Sequence, residues 1–312
     1  MGAGEFGGSS QRFRCPENAD RTGTGAYAVR FNLLGPFEIR TDDGRTYAPK
    51  APKISQLLAL LALRPREAVA VDVLARELWG QSPPGSALRT LQTHVYHARK
   101  MLAGERVTEP GRDLLLTEAP GYRLQVDDTE VDALTMEGLV HRAQREFAAR
   151  AWERAADLVE RALELWRGPT LSNVPVGGVL LGRLGWLEEL RIRVLELRID
   201  IAGQLGRHKE HLPELRTLVA DYPLHEWFHG QLITALYRSG RRIEALQAYQ
   251  NLHAILQREL GVEPPAHLQR LRADILDRAG SDPALLWDRS GGAPARPERC
   301  RLMTSTTTGT GG

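Results

Sequence analysis

The chain has 312 residues, of which 42% are hydrophobic and 26% charged, and a net charge of +2. This length suffices for about two domains, and apolar runs such as 54–63 fall short of the ~20 residues that a bilayer requires. The N-terminus lacks the apolar stretch of a secretory signal, and the two cysteines, Cys15 and Cys300, lie in unpatterned tails. These features predict a cytoplasmic protein without a membrane span, a disulfide framework or a cysteine zinc site.

Glycine, serine and threonine are frequent at both ends of the chain. Residues 1–27 and 281–312 carry no sustained apolar period, and both tails are predicted to be disordered because burial cannot offset their ordering entropy. Between them, two blocks of different periodicity predict two domains, 28–127 and 128–280. The first block has 14 Lys and Arg against 11 Asp and Glu, and the second has 20 against 22. The first domain is therefore only slightly basic.

The first block begins with β-rich sequence. Residues 29–40 are a β-rich run that an Asp-Asp-Gly turn, 42–44, closes, which predicts a hairpin. Pro52 then opens a leucine-rich segment that Pro65 ends. This pattern predicts a helix over 53–63.

Two further helices and a hairpin complete the predicted first domain. Asp72 is predicted to N-cap a short helix that Gly80 ends. After the Pro-rich loop 81–85, a longer helix is predicted over 86–103. Short strands and turns over 106–126 predict a terminal β-hairpin with an extra strand.

The helix predicted at 86–103 is amphipathic. Its apolar residues converge on one face, which is predicted to be buried: Leu88, Leu91, Val95, Ala98 and Leu102. The opposite face combines cations, hydroxyls and rings without a carboxylate: Arg89, Thr90, Thr93, His97 and Lys100, flanked by His94 and Tyr96.

Such side chains suit the major groove of DNA, because Arg and Lys pair with phosphates or guanine and Thr offers a methyl and a hydroxyl. An ordinary solvated face is the alternative from composition alone. The order of short helix, Pro-rich turn, basic helix and hairpin favours a winged helix-turn-helix. The wing is then expected to carry Arg112 near its tip and Arg123 within Gly-Tyr-Arg, 121–123.

The second block is helical almost throughout and contains an internal repeat. Residues 205–210 and 239–244 are similar and offset by 34 positions, which is the period of tetratricopeptide helix pairs, and 149–153 resembles a degenerate third copy. The sequence thus predicts a mainly α protein. An N-terminal α+β winged helix-turn-helix is followed by an all-α tetratricopeptide-like repeat domain with a concave face.

Residues that suggest catalysis or metal binding are few. The pairs His208/His211 and His225/His229 have metal-like spacing but lack an HExxH motif or cysteine partners. The glycines at 177–178 and 182–185 lack the lysine of a phosphate loop and are predicted to form a connection. No catalytic, metal or cofactor site is predicted, and the chain is not expected to be an enzyme.

Several motifs resemble the Streptomyces antibiotic regulatory protein family across residues 28–280. In the first block they are LLGPF (33–37), PK (52–53), LWG (78–80), TLQTHVYHARK (90–100) and GYRL (121–124). In the second block LWRGP (165–169), LEELR (187–191), ALYRSGR (235–241) and ELGVEP (259–264) are similar to the family's bacterial transcriptional activation domain.

The resemblance implies a transcriptional activator of secondary-metabolite (antibiotic) gene clusters that binds direct repeats in promoter DNA and recruits RNA polymerase holoenzyme. Neighbouring protomers on direct repeats are expected to associate head to tail. In this class of effector domain the loop between the two helices contacts polymerase, and that loop corresponds to Gln81, Ser82, Pro83, Pro84 and Gly85. The DNA backbone is expected to be held by Lys50, Lys53, Arg99, Arg112 and Arg123.

A second reading of the sequence is a helical-repeat scaffold that binds peptides and has lost DNA binding. The small charge of the first domain keeps this alternative open, because non-specific DNA affinity depends on phosphate neutralisation.

Overall fold

The computed structural model describes residues 29–104 and 112–277. They form two compact units: the first contains the described residues up to 137 together with 164–187, and the second contains 138–163 and the described residues from 188 onward. The division at residue 127 stays a prediction. The first unit also includes 164–187, called the closing segment below. The predicted tails and the predicted strand at 106–108 lie outside the described residues.

The first unit begins with a three-stranded antiparallel sheet in the order β1 (Val29–Asn32), β2 (Glu38–Thr41) and β3 (Thr46–Tyr47). Alternation places Val29, Phe31 and Ile39 on the buried side, and Phe31 pairs with Ile39 across β1 and β2. β2 and β3 form the hairpin that the Asp-Asp-Gly turn predicts, and β1 extends it.

Three helices follow: α1 (Pro52–Ala62), α2 (Val71–Trp79) and α3 (Ala87–Gly104). Proline at its first position pre-forms the start of α1, which packs against both α2 and α3. The predicted Asp72 N-cap is wrong: Ala70 is the N-cap, and Asp72 lies in the first turn of α2. The reason is that β4 (Val69–Ala70) pairs with a later strand, so α2 begins directly where this strand ends.

The wing is a second antiparallel sheet in the order β4, β6 (Gly121–Leu124), β5 (Leu115–Glu118). β5 and β6 form the predicted hairpin, which turns at Ala119 and Pro120. Gly121 lies so close to β4 that a Cβ atom there would overlap the carbonyl oxygen of Val69. The Gly-Tyr-Arg motif thus begins with glycine because two backbones meet at this point.

The closing segment packs against the loop that joins β1 and β2. The Arg167 amide donates to the Leu34 carbonyl at 2.7 Å, and the Leu171 amide donates to the Gly35 carbonyl at 2.7 Å. The Asn173 side chain accepts from the Phe37 amide and donates to its carbonyl. The LLGPF and LWRGP motifs, more than 100 residues apart, therefore form one hydrogen-bonded structure.

After a 3-10 turn (Asp128–Glu130), the remaining regular elements of the described chain are all helices. They are α4 (Asp132–Ala148), α5 (Trp152–Glu164), α6 (Gly178–Gln204), α7 (Leu212–Asp221), α8 (Glu226–Arg238), α9 (Arg242–Leu260) and α10 (Ala266–Asp277). Gly182 and Gly185 lie within α6, so the predicted glycine-rich connection there is wrong. Local apolar residues such as Leu180 and Leu187, both buried, offset the low helix propensity of these glycines.

The core of the second unit is built from the later helices. Its buried members include Leu195 of α6, Leu215 of α7, Phe228 and Ile233 of α8, and Leu252 of α9. On the surface of the same unit, the Arg198 guanidinium lies 2.9 Å from Glu160 and 2.7 Å from Glu214, which joins α5, α6 and α7.

The predicted internal repeat is visible in the turns that follow α4, α6 and α8. The second residue after each helix, Arg150, Gly206 or Gly240, has a left-handed backbone with φ of 60°, 70° and 78°. In each turn its amide bonds the carbonyl three residues back, and the next amide bonds the carbonyl five residues before itself. This is the same Schellman helix end three times. The 34-residue offset between Gly206 and Gly240 thus reflects one repeated structural unit.

Candidate nucleic-acid interface

Helix α3 has one buried and one exposed face. Its buried residues are Ala87, Leu91, Val95, Ala98 and Leu102. The prediction that Leu88 belongs to this set is wrong, because its side chain is 53% exposed. At 100° per residue Leu88 lies about 60° from the centre of the apolar stripe, and Ala87 takes the inward position in the first turn.

Apart from Arg99 and the last two residues of the helix, the exposed residues of α3 form what we call the outer face: Leu88, Arg89, Gln92, Thr93, Tyr96, His97 and Lys100. The α3 sequence has no Asp or Glu, so this face has no intrahelical counter-charge. Tyr96 is 60% exposed, and its ring lies edge-on to His97 at 5.4 Å. Five of the seven residues predicted for the groove are therefore on the outer face, and the sequence reasoning missed Leu88 and Gln92.

The threonine hydroxyls of α3 are already engaged within the helix. Thr93 donates to the Arg89 carbonyl and Thr90, which is half-buried, donates to the Ser86 carbonyl, both at 3.1 Å. A hydroxyl has a single proton, so in this arrangement each can only accept a further hydrogen bond. Thr93 therefore offers an acceptor and a methyl group to a partner.

His94 lies apart from the outer face. Its ring is half-buried and stacks on Trp79, at the end of α2, with 6.3 Å between ring centroids. Burial lowers the pKa of His94, and the nearby charges of Lys53 and His97 lower it further. The His94 ring therefore belongs to the contact between α2 and α3.

Two of the cations predicted to hold the DNA backbone donate hydrogen bonds to neighbouring elements. The Lys53 ammonium donates to the Leu78 carbonyl, near the end of α2. The Arg99 guanidinium donates at 2.8 Å to the Leu115 carbonyl and at 2.8 Å to the Thr117 hydroxyl, both in β5. Arg99 thereby ties α3 to the wing.

The remaining three predicted backbone cations differ in their surroundings. Arg112 lies three residues before β5 rather than at the hairpin turn, and its two terminal nitrogens donate to both oxygens of Glu130 at 2.9 and 2.8 Å. Arg123, in β6, is paired with Glu118 at 3.0 Å. Lys50, which precedes α1, is exposed. The expected position of Arg112 near the wing tip stays a prediction, because the predicted turn 109–111 beside it lies outside the described residues.

The loop between α2 and α3 is accessible along its whole length. Gln81, Ser82, Pro83, Pro84 and Gly85 are all exposed. Two prolines restrict its backbone, so the loop presents a defined surface.

A buried carboxylate in α2 holds the start of α6. Glu77, 2% exposed, accepts from the amides of Gly177, Val179 and Leu180 at 2.7 to 3.0 Å and from the Gln56 side chain at 2.9 Å. A negative charge at a helix N-terminus satisfies free amides and complements the helix dipole. Sequence reasoning missed this residue because its partners lie 100 positions away.

Three of the four histidines with metal-like spacing lie within hydrogen-bonding distance of protein groups. His211 lies 2.8 Å from Glu214, His208 lies 3.0 Å from Arg238, and the buried His229 lies 3.1 Å from the Pro223 carbonyl. Within residues 29–104 and 112–277, no group of three or more His, Cys, Asp or Glu is arranged to hold a metal ion. None of the helices in these two ranges is long and apolar enough to cross a membrane.

A winged helix-turn-helix with an uncompensated basic helix, joined to helical repeats, defines a class of transcriptional regulators. Residues 46–124 match the model described as "Transcriptional regulatory protein, C terminal", and 131–276 match the "Bacterial transcriptional activator domain". The regulatory protein DnrI of Streptomyces peucetius is 40% identical over 266 residues, which are 84% of this chain and 96% of DnrI. The transcriptional regulator RedD of Streptomyces coelicolor is 37% identical, over 86% of this chain and 76% of RedD.

The chain belongs to the Streptomyces antibiotic regulatory protein family. Its fold is shared by a solved structure, "Mycobacterium tuberculosis EmbR in complex with low affinity phosphopeptide". That chain is 30% identical with a TM-score of 0.75, and the match covers 82% of this chain and 67% of EmbR. Mainly α architecture, the winged helix-turn-helix and the repeat domain are thereby confirmed.

Proposed function

We propose that this transcriptional regulator is a sequence-specific activator of an antibiotic or other secondary-metabolite gene cluster. It binds direct repeats in promoter DNA by placing α3 in the major groove. The observation that carries the proposal is the outer face of α3, on which Arg89, Thr93, His97 and Lys100 are exposed and no carboxylate is present. We assign DNA binding to residues 28–127 and activation to 128–280.

Substitutions at Arg89 and Lys50 distinguish a contact to DNA bases from a contact to phosphates. Arg89→Ala is expected to weaken binding to the preferred sequence by ~1–3 kcal/mol if Arg89 makes a bidentate base contact, whereas Lys50→Ala weakens all sequences about equally. Lys50 is preferred to Lys53 because loss of Lys53 also breaks its bond to α2. Mobility shifts with preferred and scrambled DNA measure both. Wild-type binding by both variants would refute this footprint.

The exposed loop 81–85 is proposed to contact RNA polymerase. Substituting Ser82 and Pro83 with alanine should leave promoter binding unchanged and lower transcription in a purified polymerase assay. Unchanged transcription from this double variant would reject the loop as the polymerase contact.

Direct repeats impose translational symmetry, so neighbouring protomers would touch through unlike surfaces. Head-to-tail association on DNA is therefore part of the proposal. Centrifugation of the protein with DNA carrying one or two repeats tests it, and independent binding to the two sites would contradict it.

The alternative, a peptide-binding scaffold without DNA binding, is favoured by one observation. Lys53, Arg99, Arg112 and Arg123 all have protein partners in the first unit. A titration with promoter DNA at two salt concentrations separates the two functions, because phosphate contacts make DNA binding salt-dependent. Binding that is absent or insensitive to sequence and salt would favour the scaffold.

A further inference from the structure

Leu88 is an apolar residue on an otherwise polar and basic surface. It lies in the first turn of α3 with 53% of its surface exposed. Arg89 beside it and Gln92 one turn later are also exposed. A single exposed leucine is common on protein surfaces. It is therefore the basic and polar neighbours of Leu88 on α3, and not its exposure alone, that indicate a partner at this position.

Charge complementarity points to DNA as that partner. Arg89, Arg99 and Lys100 lie on α3, which has no acidic residue, so the surface suits a polyanion. The major groove of DNA has one apolar group on its base edges, the C5-methyl of thymine. A thymine-containing groove therefore offers both the negative charge and the apolar contact that this part of α3 requires.

We propose that Leu88 is a specificity-determining residue that packs against a thymine methyl group. Gln92 pairs with the N6 and N7 atoms of an adenine close by. One helical turn rises 5.4 Å and one base step 3.4 Å, so the adenine lies within about two base pairs of the thymine. The inference rests on the proposed function, in which α3 occupies the major groove.

Uracil substitution tests the contact directly, because uracil lacks only the methyl group of thymine. The wild-type protein first selects its preferred sequence from a random duplex library, and each thymine of that sequence is then replaced singly by uracil. We expect one or two positions at which uracil weakens wild-type binding about fourfold, equivalent to ~0.8 kcal/mol for one buried methyl. Leu88→Ala should bind thymine and uracil equally at those positions.

Leu181→Ala is the matched control, since Leu181 is a 64% exposed leucine of the same unit, in α6. It should keep the wild-type uracil profile. Gln92→Ala should relax the preference for adenine beside the affected thymine.

Leu88→Ala with the wild-type uracil profile would overturn the inference. Lower transcription by Leu88→Ala with an unchanged uracil profile would also overturn it, because that result would assign Leu88 to a contact with a protein. Failure of the wild-type chain to select any sequence would instead refute the proposed function and the inference with it.

Discussion

Asp132 is a buried carboxylate at the first position of α4. It accepts from the amides of Leu33 and Leu34 at 2.8 and 2.9 Å and from the Ala133 amide at 2.7 Å. Burial raises the pKa of Asp132 to about 6, against the opposing effect of these amides and of the Arg167 charge. The loop between β1 and β2 thus depends on a group that titrates near neutrality.

The stability contributed by Asp132 should fall as the pH rises. Its folded pKa lies above the unfolded value, so its contribution is complete below pH 4 and is lost as the pH passes 6. The difference in unfolding free energy between wild type and Asp132→Asn should shrink by up to ~3 kcal/mol from pH 4 to pH 7. Urea unfolding across this range measures it. Parallel pH profiles for the two proteins would contradict the assignment.

Arg150 occupies a position that glycine fills in the two equivalent turns. A left-handed backbone costs a non-glycine residue roughly 1–2 kcal/mol, which Gly206 and Gly240 avoid. Arg150→Gly should therefore stabilise the protein by up to ~1 kcal/mol, and Gly240→Ala should destabilise it by about the same amount. Thermal unfolding measures both. A lower Tm for Arg150→Gly would show that contacts of the Arg150 side chain stabilise the protein by more than its left-handed backbone destabilises it.

At the scale of elements, α2 and α6 are joined through Glu77. Glu77→Gln keeps the shape of the side chain but turns an amide group toward backbone donors, and it should cost ~2–3 kcal/mol. Amide hydrogen exchange at residues 177–180 should accelerate in the full-length variant. Glu67→Gln, at an exposed glutamate, is the control. Unchanged exchange in Glu77→Gln would mean that the N-terminus of α6 does not depend on this carboxylate.

The elements themselves follow closely from local sequence. Pro52, Gly80 and the leucine spacing predict α1 to α3 to within one or two residues of their observed bounds. The two errors at α2 and α3 have a tertiary cause. Because β4 pairs with β6, α2 begins directly after β4 and not after Asp72. Leu88 lies at the edge of the apolar stripe of α3, where the position of neighbouring elements determines whether a side chain is buried.

At the scale of the whole molecule, the winged helix makes hydrogen bonds with residues beyond residue 127. Asp132, Arg167 and Asn173 hold the loop between β1 and β2, and residues 177–180 satisfy Glu77. All of these contacts lie within the first unit.

A fragment of residues 28–127 is therefore expected to unfold at a lower temperature than 28–187. The shorter fragment leaves a buried carboxylate and several amides unsatisfied, at ~1–3 kcal/mol each. Circular dichroism melts compare the two. Equal midpoints would show that the closing segment adds nothing to the stability of the winged helix.

The motifs of the sequence by themselves indicated the family. The sequence also determined the order of α1, α2, α3 and the following hairpin, the amphipathic α3 without carboxylates, and the 34-residue repeat. These are local or periodic properties, and the spacing of apolar residues, prolines and glycines specifies them directly. Only the tertiary structure decided that Lys53, Arg99 and Arg112 are held by protein partners and that Leu88 faces outward. It also decided that Glu77 holds a helix 100 residues away. The physical reason is that ion pairing, capping and burial depend on which distant side chains the fold brings within hydrogen-bonding distance.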